Sequence, residues 1–496
     1  MNRLSKILFS GVISLMVLPI SVLALPKENL VDNKAPMKEN ITKITYKGNT
    51  ELNSNIEEKN TKYNSTTAGE NSILISGGTV SLINPQVNKS GDSNGDAADF
   101  YGTNAAILVY NGAKANISGG EINTKGLHAN AVFSYGKGTL NIDNANINTS
   151  ENFSGGLMVA GGGTLTANNV TVKTKRNSSA SIRSDKGGGE LLVNGGSFET
   201  SGVGSPTIYS TANIVVNKAT LISKASEGVV IEGKNSVTLN NVVLTDTNNK
   251  LNGNSETYKN IFMYQSMSGD ATSGTSTFLA KNSTITTNKG DTIFVTNTSA
   301  VIALDNNVLV NNDGEFLRIQ KGKWGTNGQN GGQVKLNCYR QKIKGDIIVD
   351  DISTLEAIFK SKSLFKGSID KDNKAKKIDL TLSKDSIIVL TGNSYVDSLT
   401  NELKDNSNIY LNGYKLYVNG KEVSGNTGKY DESAITEETD TTNEKSNVVS
   451  NDTSDKKSNT NKKTTSNKST EVYCLCGSLA LILIAAIVIV SKSKKD

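Results

Sequence analysis

Cysteine, histidine, proline and large aromatic side chains are scarce in this chain, and each scarcity removes a class of answer. The 496 residues hold 3 cysteines; Cys474 and Cys476 fall inside a long apolar run, so Cys338 stands alone in the body. No disulfide framework carries the fold, and no Cys/His spacing of a zinc site is present. His128 is the only histidine, and no Ser-His-Asp order or phosphate-cradling glycine loop accompanies it. The formal charge of +6 is spread out, without a basic run that would track nucleic acid, so no nucleic-acid partner is expected. With 5% aromatics and 5 prolines, the chain is instead rich in Asn, Gly, Thr and Ser, the composition of many short strands joined by many turns.

Both ends carry segments set apart from the fold. Arg3 and Lys6 open a short basic start, Ile7 to Leu23 is largely apolar, and Val22-Leu23-Ala24 supplies a small residue for cleavage. Residues 1–24 read as a signal peptide. Val472 to Val490 is a stretch of 19 uncharged residues, long enough at about 1.5 Å per residue to cross a hydrocarbon core of ~30 Å as one C-terminal transmembrane helix. Lys492, Lys494 and Lys495 follow it, so the basic tail 491–496 is expected in the cytoplasm and the body outside.

A repeat organises the body. Apolar pairs five apart, Ile117/Ile122, Ile142/Ile147, Ala167/Val172, Val193/Phe198, Val216/Leu221, Leu239/Leu244, Ala280/Ile285 and Leu304/Leu309, recur mostly every 23 to 26 residues. A second apolar column, Ile107, Val132, Leu157, Ile182, Ile208, Ile231 and Met263, keeps nearly the same step. A fixed period of this length is a solenoid signature. Within each unit apolar and polar residues alternate, as in Thr139 to Asp143, which is a strand period. The links Gly119-Gly120, Asn144-Ala145, Gly195-Gly196 and Asn241-Val242 place Gly or Asn where a sharp bend needs positive φ.

The energetics demand many stacked units. A single coil loses about 1 to 2 kcal/mol of backbone entropy per residue, while each inward side chain returns only about 1.5 to 3 kcal/mol. Neighbouring coils must therefore complete the ladders and the core.

With inward aliphatics and Asn or Gly at the bends, residues 70–350 resemble the right-handed parallel β-helix of the pectate-lyase-like superfamily, especially its adhesin-like surface proteins. The expected fold is all-β, a right-handed parallel β-helix of about ten coils. Residues 25–69 read as a lead-in or cap. Residues 351–423 read as irregular coils and a C-terminal cap, with a hairpin at Asn412-Gly413. Residues 424–471, nearly all Ser, Thr, Asn, Lys, Asp and Glu, read as a disordered stalk ahead of the membrane span at 472–490. The layout resembles a Gram-positive-type surface anchor, although no LPxTG motif precedes the span.

The resemblance implies that any site lies on one outer sheet face, where enzymes of the superfamily cluster Asp with Arg, Lys or His. The residues expected to point outward include Leu108, Phe133, Met158, Arg183, Tyr209, Glu232 and Tyr264, with Tyr110, Tyr135, Asp185 and Lys234 two places further on. Tyr110, Tyr135, Arg183, Asp185, Tyr209, Glu232, Lys234 and Tyr264 are the ligand-binding candidates: aromatic rings offer flat platforms for a glycan or a protein, and the charges polar anchors. The same charges also read as a solvated ion-pair ladder. Asp185 and Glu232, placed two coils and one pleat apart, would be about 11 to 12 Å apart, too far for glycoside hydrolysis. His128 reads as a surface turn residue.

Two insertions interrupt the period, one after Val80 and one after Leu244, and each contains Ser-Gly-Asp, at Ser90 to Asp92 and Ser268 to Asp270. Asp92, Asn94, Asp96 and Asp99 in the first make a weak calcium candidate. Ala97 stands where an EF-hand has its glycine and Thr103 where it has its glutamate. No other cofactor is implied. The expected function is recognition or adhesion at the cell surface, directed at an extracellular glycan or protein, without catalysis. The alternatives are a carbohydrate-active lyase or hydrolase, and a spacer with no ligand.

Overall fold

Each repeat folds because its alternating residues let one strand face bury while glycine and asparagine turn the chain between strands. The computed structural model describes residues 44–431, apart from 94, 252–255 and 267. The chain is an all-β, right-handed-type parallel β-solenoid of about 15 turns, half as many again as the ten expected. The excess comes from both sides of the clearest repeats. Strands begin at Gly48–Leu52, and parallel pairing continues through Ile388↔Ile409 and Tyr395↔Tyr417.

One strand per turn, from Gly48–Leu52 to Ile347–Val349, stacks into a 12-stranded parallel sheet. Most of the others build a 22-stranded sheet that takes two strands from most turns, and the rest form a 4-stranded and a 3-stranded sheet. The bend between those two strands is left-handed in turn after turn: Asn60, Asn84, Asn144, Asn169, Asn241, Asn282 and Asn306 all have φ between 49° and 55°. Beside the bend, Asn168, Asn194, Asn217 and Asn240 each donate a side-chain hydrogen bond to the residue below, beginning at Asp143. The inward aliphatics of all turns merge into one continuous core.

The register corrects one expectation. Ile208 pairs with Val229, and Val229 with Ile261, so Ile231 and Met263 belong to the next inward position, alongside Ser210. The turn between Ile208 and Val229 is shorter than its neighbours, which moves the pattern by two residues. Parity is kept, and Glu232 still faces outward.

A second correction concerns that outward face. Leu74, Leu108, Phe133 and Met158 are at most 3% exposed and form a second apolar cluster with Ala105 and Ala160. The first insertion covers the sheet here. Its short helix, Asp96–Tyr101, is followed by Gly102 at φ 75°, where a Cβ would stand 2.9 Å from Leu108 Cδ1 and from Phe133 Cγ. Further along the same face Val230, Phe262, Tyr264 and Phe294 form a third cluster, with Tyr209 and Trp324 against it.

The chain ends its described part in a small antiparallel hairpin, Leu416–Val418 with Lys421–Val423, turned at Asn419-Gly420 rather than at Asn412-Gly413. Among the described residues no helix is long and apolar enough to cross a membrane. The proposed signal peptide, stalk, span and tail lie outside the described residues.

Candidate functional site

Between the two outer apolar clusters the outward column changes character. Following Met158 the ladder brings Arg183, then Tyr209, then Val230. The polar pair at Arg183 and Tyr209 is thus bracketed by covered hydrophobic surface. Over it opens a cavity of about 570 Å³ lined by Arg183, Asp185, Tyr209 and Tyr264 from the sheet, by Phe153 and the turns at 177–180 and 203–206, and by both insertions. The first insertion contributes Asp99 and Phe100, the second Leu251 and Asp270. The two irregular segments of the repeat therefore converge on one place.

On one side of the cavity runs a chain of polar and charged side chains. The His128 ring Nδ1 lies 2.9 Å from Asp99 Oδ2, Asp99 Oδ1 lies 4.0 Å from Arg183 Nη1, and Arg183 Nη2 donates to Asp185 Oδ2 at 2.8 Å. The Lys186 amide completes Asp185 by donating to Oδ1 at 2.9 Å. His128 stacks flat on Phe153 at 4.4 Å. These are not solvated pairs: the side chains of His128, Asp99, Arg183 and Asp185 are 5% to 13% exposed. Burial pushes the Asp185 carboxyl up to about 7, with Arg183 pulling it down and the Asp270 and Asp99 carboxylates raising it again. Asp185 therefore titrates near neutrality, where an ordinary aspartate is fully ionised.

The other side is a hydroxyl cage around Glu232. Tyr209 and Tyr264 donate to Glu232 Oε2 at 2.5 and 3.1 Å, while Ser266 donates to Oε1 and Ser268 reaches it at 3.4 Å. Among the described residues no lysine or arginine pairs with this carboxylate, which is 1% exposed. Burial raises it above the usual range against the pull of those hydroxyl donors, and burial together with Glu232 raises both tyrosines well above theirs. The phenols are therefore protonated donors locked onto Glu232, with ring surfaces left to form the cavity wall.

The structure sorts the candidates. Arg183, Asp185, Tyr209 and Tyr264 meet at the cavity, and Glu232 stands behind its wall. Continuing the ladder past the paired strands sets Asp185 opposite Thr211 and Thr211 opposite Glu232, so the two acids share an outward column two coils apart, about 10 Å at 4.8 Å per coil. The expected offset of one pleat came from the misplaced register. Tyr110 and Tyr135 pack half-buried onto the second apolar cluster, Tyr110 against Tyr46 and Tyr135 against Tyr101, and are not part of a continuous row of rings with Tyr209. Lys234 is exposed and away from the lining.

The weak calcium candidate separates into different roles. Asp92 Oδ1 accepts the Leu127 amide at 2.8 Å, while Asp99 turns to His128 and Arg183. Asp96 begins the helix, and Asn94 lies outside the described residues. Among the described residues no group of three His, Cys, Asp or Glu is arranged to hold a metal ion.

His128, expected as a surface turn residue, does occupy a left-handed turn at φ 53°, but its side chain is enclosed and anchors Asp99. Phe153 and the convergence of Asp99 with Asp270 escaped sequence reasoning. The one usable signal was that both insertions carry acidic residues.

No protein-family model, curated protein or solved structure matches this chain.

Proposed function

We propose that the chain is a membrane-anchored cell-surface β-solenoid that recognises carbohydrate in the cavity over Arg183 and Tyr209. The observation that carries this reading is that cavity itself: about 570 Å³, lined by aromatic rings together with ion-paired carboxyl groups. Small-molecule sites commonly enclose about 300 to 1,000 Å³ and combine apolar walls with a few fixed polar groups. Sugars suit such a mixture, since their ring faces stack on aromatics while their hydroxyls need paired donors and acceptors. The likeness to adhesin-like proteins of the pectate-lyase-like superfamily, the leader at 1–24 and the apolar run at 472–490 support display outside the cell.

Hydrolysis is the second reading, favoured by one observation: Asp185, pushed up to about 7, shares the cavity with Asp99 and Asp270. A pair of carboxyl groups flanking the sugar is the working part of a glycosidase. Against it, Glu232 is consumed by its hydroxyl cage and does not line the cavity.

A glycan array probed with the full-length chain in detergent tests the proposal. Wild type and Tyr135→Ala give the same signal, and Tyr209→Ala loses it. Absence of any glycan signal from the wild type defeats the recognition reading, and an unchanged signal in Tyr209→Ala moves the ligand out of this cavity. Release of new reducing ends from a bound polysaccharide, lost in Asp185→Asn, would replace recognition by hydrolysis.

A further inference from the structure

We infer that the sugar taken by this cavity carries a positive charge, as a hexosamine whose amine is free does; this rests on the recognition reading. The lining presents three carboxylates, Asp99, Asp185 and Asp270, against the single guanidinium of Arg183. That guanidinium is already committed, with Nη2 held by Asp185 at 2.8 Å. Among the described residues Asp99 Oδ1 and Asp270 Oδ1 accept no hydrogen bond, and Asp99 Oδ1 has the Arg183 guanidinium at 4.0 Å. Enclosed carboxylate oxygens without donors are electrostatically expensive. An ammonium group in the cavity offsets that expense, and an anionic sugar adds to it.

These two acids, each with one oxygen that accepts no hydrogen bond, also come from opposite insertions, Asp99 on the helix Asp96–Tyr101 and Asp270 in the loop that follows Tyr264. Both line the same cavity as the rings of Tyr209 and Tyr264. A pyranose stacked on those rings, with its amine turned to the acids, uses both kinds of lining at once. An N-acetyl group removes the charge and leaves the ring. A polyuronate keeps the ring and reverses the sign. Width separates a sugar from a lysine side chain, which fills a narrow tunnel and leaves a cavity of about 570 Å³ mostly empty.

The test is calorimetric titration of the full-length chain in detergent with four probes: a glucosamine tetramer, the same tetramer N-acetylated, a galacturonate tetramer and tetralysine. The free-amine tetramer binds at least about tenfold tighter than the acetylated one, the galacturonate does not bind, and Asp99→Asn/Asp270→Asn removes most of that preference. Raising the salt concentration weakens the free-amine tetramer more than the acetylated one. Equal affinity for the free and acetylated tetramers overturns the charge inference while leaving sugar recognition standing. Binding of tetralysine in preference to every sugar makes the ligand a peptide and overturns it as well. Failure of all probes to bind, together with an empty glycan array, brings down the recognition reading itself. Should the double variant lose its cooperative melt, the wild-type ranking of the four probes still decides.

Discussion

The His128 ring nitrogen meets Asp99 Oδ2 at 2.9 Å across 29 residues of sequence, and this bond helps tie the first insertion to the solenoid. Both side chains are nearly enclosed, at 11% and 13% exposure, so the bond is shielded from water. Replacing the imidazole while keeping the turn isolates its role, because asparagine tolerates the left-handed backbone at φ 53°. His128→Asn is expected to lower the unfolding free energy by about 1 to 3 kcal/mol, the range for stranding a buried acceptor. Hydrogen exchange at residues 97–102 should accelerate more than the global change explains. If those amides exchange as in wild type, the helix is held by its apolar underside alone.

One residue outside the cavity should make stability fall as pH rises from about 4 to 8. Asp246 is fully enclosed, with Oδ1 accepting the Asn248 amide at 2.7 Å and Oδ2 accepting nothing. Burial pushes it from the ordinary 3.8 up to about 8, opposed by that amide and reinforced by Glu227. The folded chain thus keeps a proton that the unfolded chain releases near pH 4, so folding takes up a proton between about pH 4 and 8 and stability declines across that window. Asp185, raised to about 7, acts with the same sign over the lower part of it. Asp246→Asn keeps the Oδ1 acceptor and removes the titration. Denaturant melts should show the variant close to wild type at pH 4 and more stable by a few kcal/mol at pH 8. A pH profile parallel to wild type would mean that Asp246 is hydrated and ionised.

The period, the bends and the inward columns were legible because each is local: alternation sets the strands, and Asn144 or Gly195 marks its own turn. What a solenoid wears on its outside is not local. Leu108, Phe133 and Met158 read as exposed because nothing near them in sequence covers them, and their cover arrives from an insertion that read as a loop. For the same reason Tyr135 passed for a binding platform although Tyr101 lies over it. The register of Glu232 was lost at one short turn, since periodic reading assumes equal turns. Arg183, Asp185, Tyr209 and Tyr264 were found because strand parity was right; Asp99, Asp270 and Phe153 join them only through folding across whole coils.

Gly102 ends the covering helix at φ 75° with its Cα pressed onto the second apolar cluster. An added Cβ would lie 2.9 Å from Leu108 Cδ1 and from Phe133 Cγ, closer than carbon atoms pack, and the backbone conformation itself disfavours any other residue. Gly102→Ala should therefore destabilise by about 1 to 3 kcal/mol from the backbone strain alone, with steric displacement added. Gly112, also at positive φ, has open space where its Cβ would sit. Gly112→Ala serves as the control that carries the strain without the clash. Thermal melts separate the two contributions, and equal losses in both variants would show that the helix yields to the extra methyl group freely.

Lys218 is out of place in the row of left-handed bends. Its φ is 53°, matching Asn144 at 55°, Asn169 at 52° and Asn241 at 54°, yet its side chain has no short amide to stabilise that backbone. The other bends gain more than tolerance: Asn84 Nδ2 donates to Asn60 Oδ1 at 2.8 Å, and Asn306 to Asn282 at 2.8 Å, one coil apart. Lys218 is exposed, so replacing it removes little packing. Lys218→Asn should stabilise the chain by about 0.4 to 1 kcal/mol through relief of the strained backbone, and more if it stacks with Asn241 in the coil above. The reverse exchange, Asn241→Lys, should be destabilising by a similar amount. Equilibrium denaturation of both variants tests the pair together: a gain at 218 with no loss at 241 would place the benefit in the unfolded chain or the surface charge, and only opposite signs at the two positions support a bend ladder built from asparagine.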